Sequence, residues 1–372
     1  AFNVDPLVEG LAASDVELGY DGNLYFADYG GGWSANRNGT VQVLRPTDVD
    51  ARTNGAETAR MFEKGFSHRS IAELESLLDS ADQRVRQEAQ FALVEKGEKS
   101  LPTLIELIEE QDDFALSSLH ALWALGQLYR EGVEEASGPI LSALQSQHPE
   151  LRANAARVAG DVGIGEARDL LISALEDSSS RVVSLSAIAL GRLCEPGDRE
   201  AEDALFDAVG ENQGSDFEVG LRHSFLSALA RISTAESLAE ISASDSYERR
   251  LMAVLLLRRL QHQDLSLYLE DSHDLVRHEA IRAVYDTPAL NTPAGSKLIS
   301  LELADLPVYL QLRILGAGFR SQSAEGARLL IRAAADLDLD EEARFFALRG
   351  LGRWSDPPQF DAVLGDYRPM VA

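Results

Sequence analysis

The chain has 372 residues, 45% of them hydrophobic and 26% charged, with 34 Lys and Arg against 61 Asp and Glu and a net charge of -27. That composition supports a folded core and excludes wholesale disorder, while so acidic a surface repels phosphate backbones and anionic lipid, which argues against nucleic acid and favours basic partners or simple solubility. A single cysteine, Cys194, excludes an intrachain disulfide framework, a cysteine-based zinc cluster and a Cys-x-x-Cys-His haem attachment site, and no apolar run is long enough to span a membrane.

No secretory leader is legible, and the chain opens at Ala1 as if within a domain, so it is expected to be a piece of a longer protein. Residues 1–50 have no helical period. Val16 to Tyr20 and Leu24 to Asp28 read as strands joined at Asp21-Gly22-Asn23, a hairpin signal. After Gly30-Gly31-Gly32, Thr40 to Leu44 is a third strand that stops before Pro46. Three short strands make a poor independent domain, so they are expected to complete another sheet or pack on the first helices. Residues 51–65 read as a linker.

From 66 to 354 the chain repeats. The unit is an apolar residue followed by Arg, with small or apolar residues four and seven positions on, as in Val85-Arg86 with Ala89 and Ala92. It recurs at Leu151-Arg152, Val276-Arg277 and Ala343-Arg344, and more loosely at Phe114, Val182, Leu221, Arg249 and Leu310. Successive starts lie 27 to 39 residues apart, a helical-repeat period that gives about nine units. The spacing places small side chains on one helix face, where a neighbouring helix can approach closely. A shorter amphipathic stretch precedes each such helix, for example Ile71-Leu74-Leu77-Leu78, Leu101-Leu104-Leu107-Ile108 and Leu298-Leu301-Leu303, and turn residues such as Asp79-Ser80-Ala81-Asp82 and Asp271-Ser272-His273-Asp274 separate the two. The fold class expected is mainly α: an α-solenoid of about nine HEAT-type helical hairpins behind a small β segment of about three strands. Residues 355–372 are left as a C-terminal tail.

The arginine after the first apolar residue (Arg86, Arg152, Arg222, Arg250, Arg277, Arg344) recurs with the period. The resemblance to HEAT repeats implies a structural role, in which it reaches an acidic or backbone acceptor in the neighbouring turn and forms a ladder along the array.

A second resemblance lies at the two ends. Tyr20-Asp21-Gly22-Asn23-Leu24-Tyr25-Phe26-Ala27-Asp28 followed by Gly-Gly-Gly-Trp33 resembles the last blade of a sorbosone or glucose dehydrogenase propeller. The stretch from Gly65 to Leu93 and the tail from Trp354 to Pro369 resemble the HEAT segment that follows that propeller in the putative membrane-bound dehydrogenase, or PVC-type haem-binding, family. That resemblance implies pyrroloquinoline quinone (PQQ) and Ca²⁺ in a propeller, haem c in a downstream domain, and a periplasmic or otherwise extracytoplasmic bacterial location. The chain has at most one blade and no haem motif, so no cofactor residue carries over.

No catalytic, cofactor or metal residue stands out. His68, His120, His148, His223, His262, His273 and His278 fall in different repeats without a metal-ligand spacing. Asp336-Leu-Asp338-Leu-Asp340-Glu341-Glu342 starts like a Ca²⁺ loop but has Glu341 where Gly is required and Ala347 where Glu is required, and reads as an acidic helix start. The function expected is a non-catalytic interaction or inter-domain scaffold that binds a protein partner or neighbouring domains of its own polypeptide. The alternative is part of a quinoprotein sugar dehydrogenase that passes electrons to a haem domain outside this chain. A phycobilin-lyase-like HEAT enzyme is a third reading, on fold alone.

Overall fold

Strands β1 (Ala13–Leu18), β2 (Leu24–Asp28) and β3 (Thr40–Leu44) form an antiparallel sheet in the order β1-β2-β3, with Leu24 opposite both Leu18 and Leu44. The computed structural model describes residues 13–30, 39–109, 115–211, 218–287 and 293–370; Gly31, Gly32, Trp33 and Phe114 of the sequence motifs lie outside these. Asp21 shapes the hairpin turn by accepting from the Asn23 N–H (3.1 Å), the Asn23 amide (2.6 Å) and the Tyr25 hydroxyl (2.9 Å). These bonds hold its carboxyl below the usual carboxylate range, the Asn23 N–H most of all.

The stretch read as a linker is helical as far as Lys64. Helix α1 (Val49–Lys64) is capped by Asp48, whose side chain accepts from the Ala51 N–H at 2.8 Å. Gly55 within it serves a close approach: a Cβ on it would stand 2.3 Å from the Asp21 carbonyl oxygen. The glycine lets the hairpin turn sit against the helix, and Tyr20 stacks on Phe62 with ring centroids 4.0 Å apart. The sheet is therefore tied to the helices through its turn; β1 and β3 stay largely exposed, and the central β2 is half-buried.

Helical pairs follow: α2 (Ile71–Leu77), α3 (Gln83–Glu95), α4 (Leu101–Glu109), α5 (Leu116–Arg130), α6 (Ser137–Ala143), α7 (Pro149–Val162), α8 (Arg168–Ser173), α9 (Ser180–Leu193), α10 (Arg199–Glu211), α11 (Glu218–Ile232), α12 (Ala235–Glu240), α13 (Tyr247–Leu260), α14 (Asp274–Asp286), α15 (Pro293–Leu298), α16 (Val308–Ser321), α17 (Ala324–Ala335) and α18 (Glu341–Gly352). A 3₁₀ segment, Gln263–Tyr268, takes the place of the first helix before α14. The amphipathic stretch read across Leu298, Leu301 and Leu303 is helical only to Leu298.

The chain divides into two compact units, Ala1–Leu151 and Arg152–Ala372. In the first, α3 packs on α5, and Leu74, Leu93, Leu104, Leu122 and Leu125 are fully buried. In the second, the longer helices α9, α11, α13, α14, α16 and α18 pack each on the next, and the shorter elements form a second layer, in which Gln263–Tyr268 touches α12 and α15. Phe206, Phe225 and Tyr268 are its largest fully buried side chains. A single helical pair cannot bury both its faces, so each pair is stable only in the stack.

Small residues set the spacing of the long helices. A Cβ on Gly160 in α7 would lie 2.7 Å from the Cα of Ala189 in α9, and one on Gly191 in α9 would lie 2.6 Å from the Cα of Ala228 in α11. Each approach is closed by backbone, so an added side chain must push two helices apart.

The segment read as a tail folds back on the second unit. Asp361 and Arg368 are buried, and Arg368 donates to the carbonyls of Tyr285 (3.1 Å) and Asp286 (2.6 Å), the last residues of α14. A cation there satisfies orphan carbonyls and meets the negative end of the helix dipole. Tyr285 donates its hydroxyl to Asp361 at 2.8 Å, and Gly316 leaves room for that ring, since a Cβ there would lie 2.5 Å from the hydroxyl. Burial, reinforced by the Asp361 charge, pushes the Tyr285 phenol pKa well above its ordinary value.

Gly160→Val is expected to cost about 1–3 kcal/mol by overpacking. The unfolding free energy of the second unit, from the denaturant midpoint and slope, should fall by that amount, and an unchanged midpoint would show that α7 and α9 separate freely.

Candidate functional site

The turns inside the helical pairs hold the recurrent arginines. Arg250 in α13 donates to the carbonyls of Ser244 (2.6 Å) and Asp245 (3.1 Å) in its own turn, and its Nε and Nη2 grip both carboxylate oxygens of Asp271 in the next turn at 2.7 and 3.0 Å. Asp271 also accepts from the His273 N–H at 2.8 Å, so one carboxylate shapes its own turn and receives the arginine of the turn before. Burial works against the charged form of Asp271, but Arg250 and the His273 N–H outweigh it and its pKa is lowered. Arg152 and Asp177 repeat the arrangement: Nε and Nη2 of Arg152 lie 2.7 and 2.9 Å from the carboxylate, which also accepts from the Ser179 N–H at 2.8 Å.

Arg86 bonds the carbonyls of Ser80 (2.6 Å) and Ala81 (3.1 Å). Arg277 reaches the Asp271 carbonyl at 3.3 Å and pairs with Asp274 at 2.6 Å. Arg222 is exposed on α11. Arg344 is half-buried on α18, and its Nε has no acceptor among the described residues. The periodic position thus has varied surroundings; the arrangement of two turns joined through one carboxylate is found at Arg152 and Arg250.

Periodicity did not reveal the polar chain inside the first unit. Arg86 Nε donates to His120 Nε2 at 3.3 Å, His120 Nδ1 meets Gln90 Oε1 at 2.8 Å, and the Gln90 amide donates to Gln127 at 3.2 Å. The pattern requires a neutral imidazole that accepts at Nε2 and donates at Nδ1. Burial first, and the Arg86 charge second, lower the His120 pKa to about 4.

Cys194 ends α9 and is half-buried beside Asp198 and Arg168. Arg168 holds both carboxylate oxygens of Asp198, at 2.9 and 2.7 Å, and brings the Asp198 pKa down to about 2. Burial, helped by the Asp198 charge, pushes the thiol up to about 11, so it is a poor nucleophile at neutral pH. Asp340 caps α18 by accepting from the Glu342 N–H at 2.8 Å, and the acidic residues after it occupy the first helical turn. Among the described residues no group of three or more His, Cys, Asp or Glu could hold a metal ion, and no helix is long and apolar enough to cross a membrane.

The second unit has a cleft of about 1040 Å³. Residues of α14, α15 and the turn after it, α16, α17 and the C-terminal segment line it, among them Tyr285, Ile299, Arg320, Arg328, Arg332 and Met370.

Stacked helical pairs joined through arginine-bearing turns define a helical-repeat protein, and residues 137–230 match the HEAT repeats family. Similar solved structures include the CpcE–CpcF complex of phycocyanin lyase from Nostoc sp. PCC7120, at 23% identity over 68% of this chain and 86% of that one, with a TM-score of 0.32. Importin beta is similar at 13% identity over 82% of this chain and 51% of its own, with a TM-score of 0.46. Human deoxyhypusine hydroxylase is similar at 19% identity over 77% and 96%, with a TM-score of 0.29. No curated protein matches the chain.

Asp271→Ala should destabilise the second unit by about 3–5 kcal/mol, because it leaves a buried guanidinium with its turn carbonyls but no countercharge. Equilibrium unfolding measures this, and a loss well under 1 kcal/mol would show that solvent replaces the carboxylate.

His120 makes the first unit sensitive to acid. Its folded pKa of about 4 lies below the ordinary value of 6.5, so the unfolded chain binds the proton more readily. The stabilisation is complete above about pH 6.5 and declines as pH falls toward 4. Ring-proton NMR should find His120 titrating at least one unit below an exposed histidine, and an ordinary titration would refute the buried neutral form.

Proposed function

We propose that the chain is a non-catalytic scaffold whose repeats bind a basic protein partner, or neighbouring domains of its own polypeptide, through an acidic outer surface. The observation that supports this is that the buried ion pairs take up both signs of charge alike, so the acidic surplus is left outside them. The side chains of Arg250, Arg313 and Arg152 are 10%, 14% and 17% exposed because they are committed to turns and helix ends. Carboxylates such as Asp169 and Asp274 are 87% and 72% exposed. The partners of those three arginines, Asp271, Asp286 and Asp177, are as deeply placed, at 7%, 14% and 11%, so these pairs consume both signs alike and the surplus of 61 acidic over 34 basic residues is left for the outer surface. Such a surface attracts basic partners and steers their approach.

A second reading places the chain in a quinoprotein sugar dehydrogenase, with PQQ, Ca²⁺ and haem c held outside this chain and an extracytoplasmic location. It rests on the blade-like phrase around Asp21 and on the form of the N-terminal sheet, whose strands β1 and β3 each have one unpaired edge among the described residues. The residues here supply no haem motif, so no redox step is assigned to them.

The immobilised chain should retain a lysine-rich polypeptide at about 0.05 M salt and release it as ionic strength passes about 0.15 M, where exposed charges are screened beyond about 8 Å. Retention that ignores salt would refute the electrostatic surface. Dye reduction with an aldose by a polypeptide that joins this chain to a quinoprotein propeller would favour the second reading instead.

A further inference from the structure

The cleft beside α17 gathers cations in a chain whose surface is otherwise acidic. Three arginines line it, Arg320 from α16 and Arg328 and Arg332 from α17, against two glutamates, Glu302 and Glu325. Arg328 and Arg332 are one helical turn apart, so their Cβ atoms stand about 5–6 Å apart on one face, and like charges so placed disfavour the isolated helix. The contact of Arg328 with Glu325, at 3.3 Å, offsets little of this, because both side chains are more than two-thirds exposed. The Arg332 guanidinium has no acceptor among the described residues. Arg320 is fixed from behind: its Nη1 lies 3.4 Å from Asp361 and 3.1 Å from the Arg368 carbonyl, while its Nε is buried and has no acceptor among the described residues.

We propose that this cleft binds a small organic polyanion, a molecule with two or more carboxylate or phosphate groups. Guanidinium forks suit both chemistries, and an oxyanion between Arg328 and Arg332 removes their mutual repulsion. A volume of about 1040 Å³ far exceeds a single inorganic oxyanion and stands at the upper end of small-molecule sites. The apolar part of the lining, from Ile299, Ala317 and Met370, gives the carbon body of the ligand a surface to cover. The site is independent of the scaffold reading, since it recruits charge of the opposite sign to the outer surface.

Isothermal titration of the full chain with citrate and, separately, with fructose 1,6-bisphosphate tests the proposal and distinguishes the two chemistries. At least one should bind saturably with one site per chain at constant ionic strength. The double variant Arg328→Ala/Arg332→Ala should weaken that binding by about ten- to a hundredfold, the range for hydrogen bonds to charged groups. Both side chains are exposed, so circular dichroism should show the fold intact. A control of equal charge change, Arg349→Ala/Arg353→Ala, removes exposed arginines outside the lining and should leave binding unchanged. The proposal fails if neither anion binds, or if the control weakens binding as much as the cleft variant does.

Discussion

A guanidinium buried between two turns has to find acceptors on both sides. Arg250 takes carbonyls from its own turn and a carboxylate from the next, and Asp271 completes the exchange by ordering the backbone of the turn that carries it. Neither group is tolerable alone at that depth, since a buried charge without its partner costs several kcal/mol. The pair therefore fixes the register of one hairpin on its neighbour, a task that non-directional apolar contact performs poorly.

The rest of the second unit follows from that register. Once the turns are locked, the long helices can meet where glycine and alanine oppose each other, as at Gly160 with Ala189 and Gly191 with Ala228. The last pairs are closed differently. Arg368 reaches back to the end of α14 and Asp361 receives the Tyr285 hydroxyl, so a segment without regular structure completes the core that a further helix would otherwise cover. The same segment positions Arg320 at the cleft, which links the closure of the stack to the one concave cationic surface described here.

Charge inside the stack is paired, and the excess is acidic. Arginines in the turns and helix ends, where planar forks match carbonyls and carboxylates, take equally buried carboxylates as partners, and the acidic residues in excess are left outside these pairs. A surface of that kind suits recognition of basic partners, whereas the cleft suits anions. Two opposite electrostatic surfaces on one array are compatible because screening in salt limits each to about 8–10 Å.

The sequence by itself determined the helical pairs, their period, the hairpin at Asp21 and the arginine that recurs beside an apolar residue, because each of these is a local pattern of spacing and turn chemistry. Residues 137–230 match the HEAT repeats family on that basis. It did not determine helix α1, in the stretch read as a linker; only the Asp21 carbonyl 2.3 Å from the position of a Gly55 Cβ explains the glycine. Nor could it separate Arg250, gripped by Asp271, from Arg222, exposed on α11, since the partner comes from another repeat. The His120 chain, the fold-back of Asp361 and Arg368, and the cleft that joins Arg320 to Arg328 and Arg332 were likewise decided by tertiary structure. Each depends on groups far apart in the chain, and a periodic pattern records which face a residue occupies but not which side chain will lie opposite it.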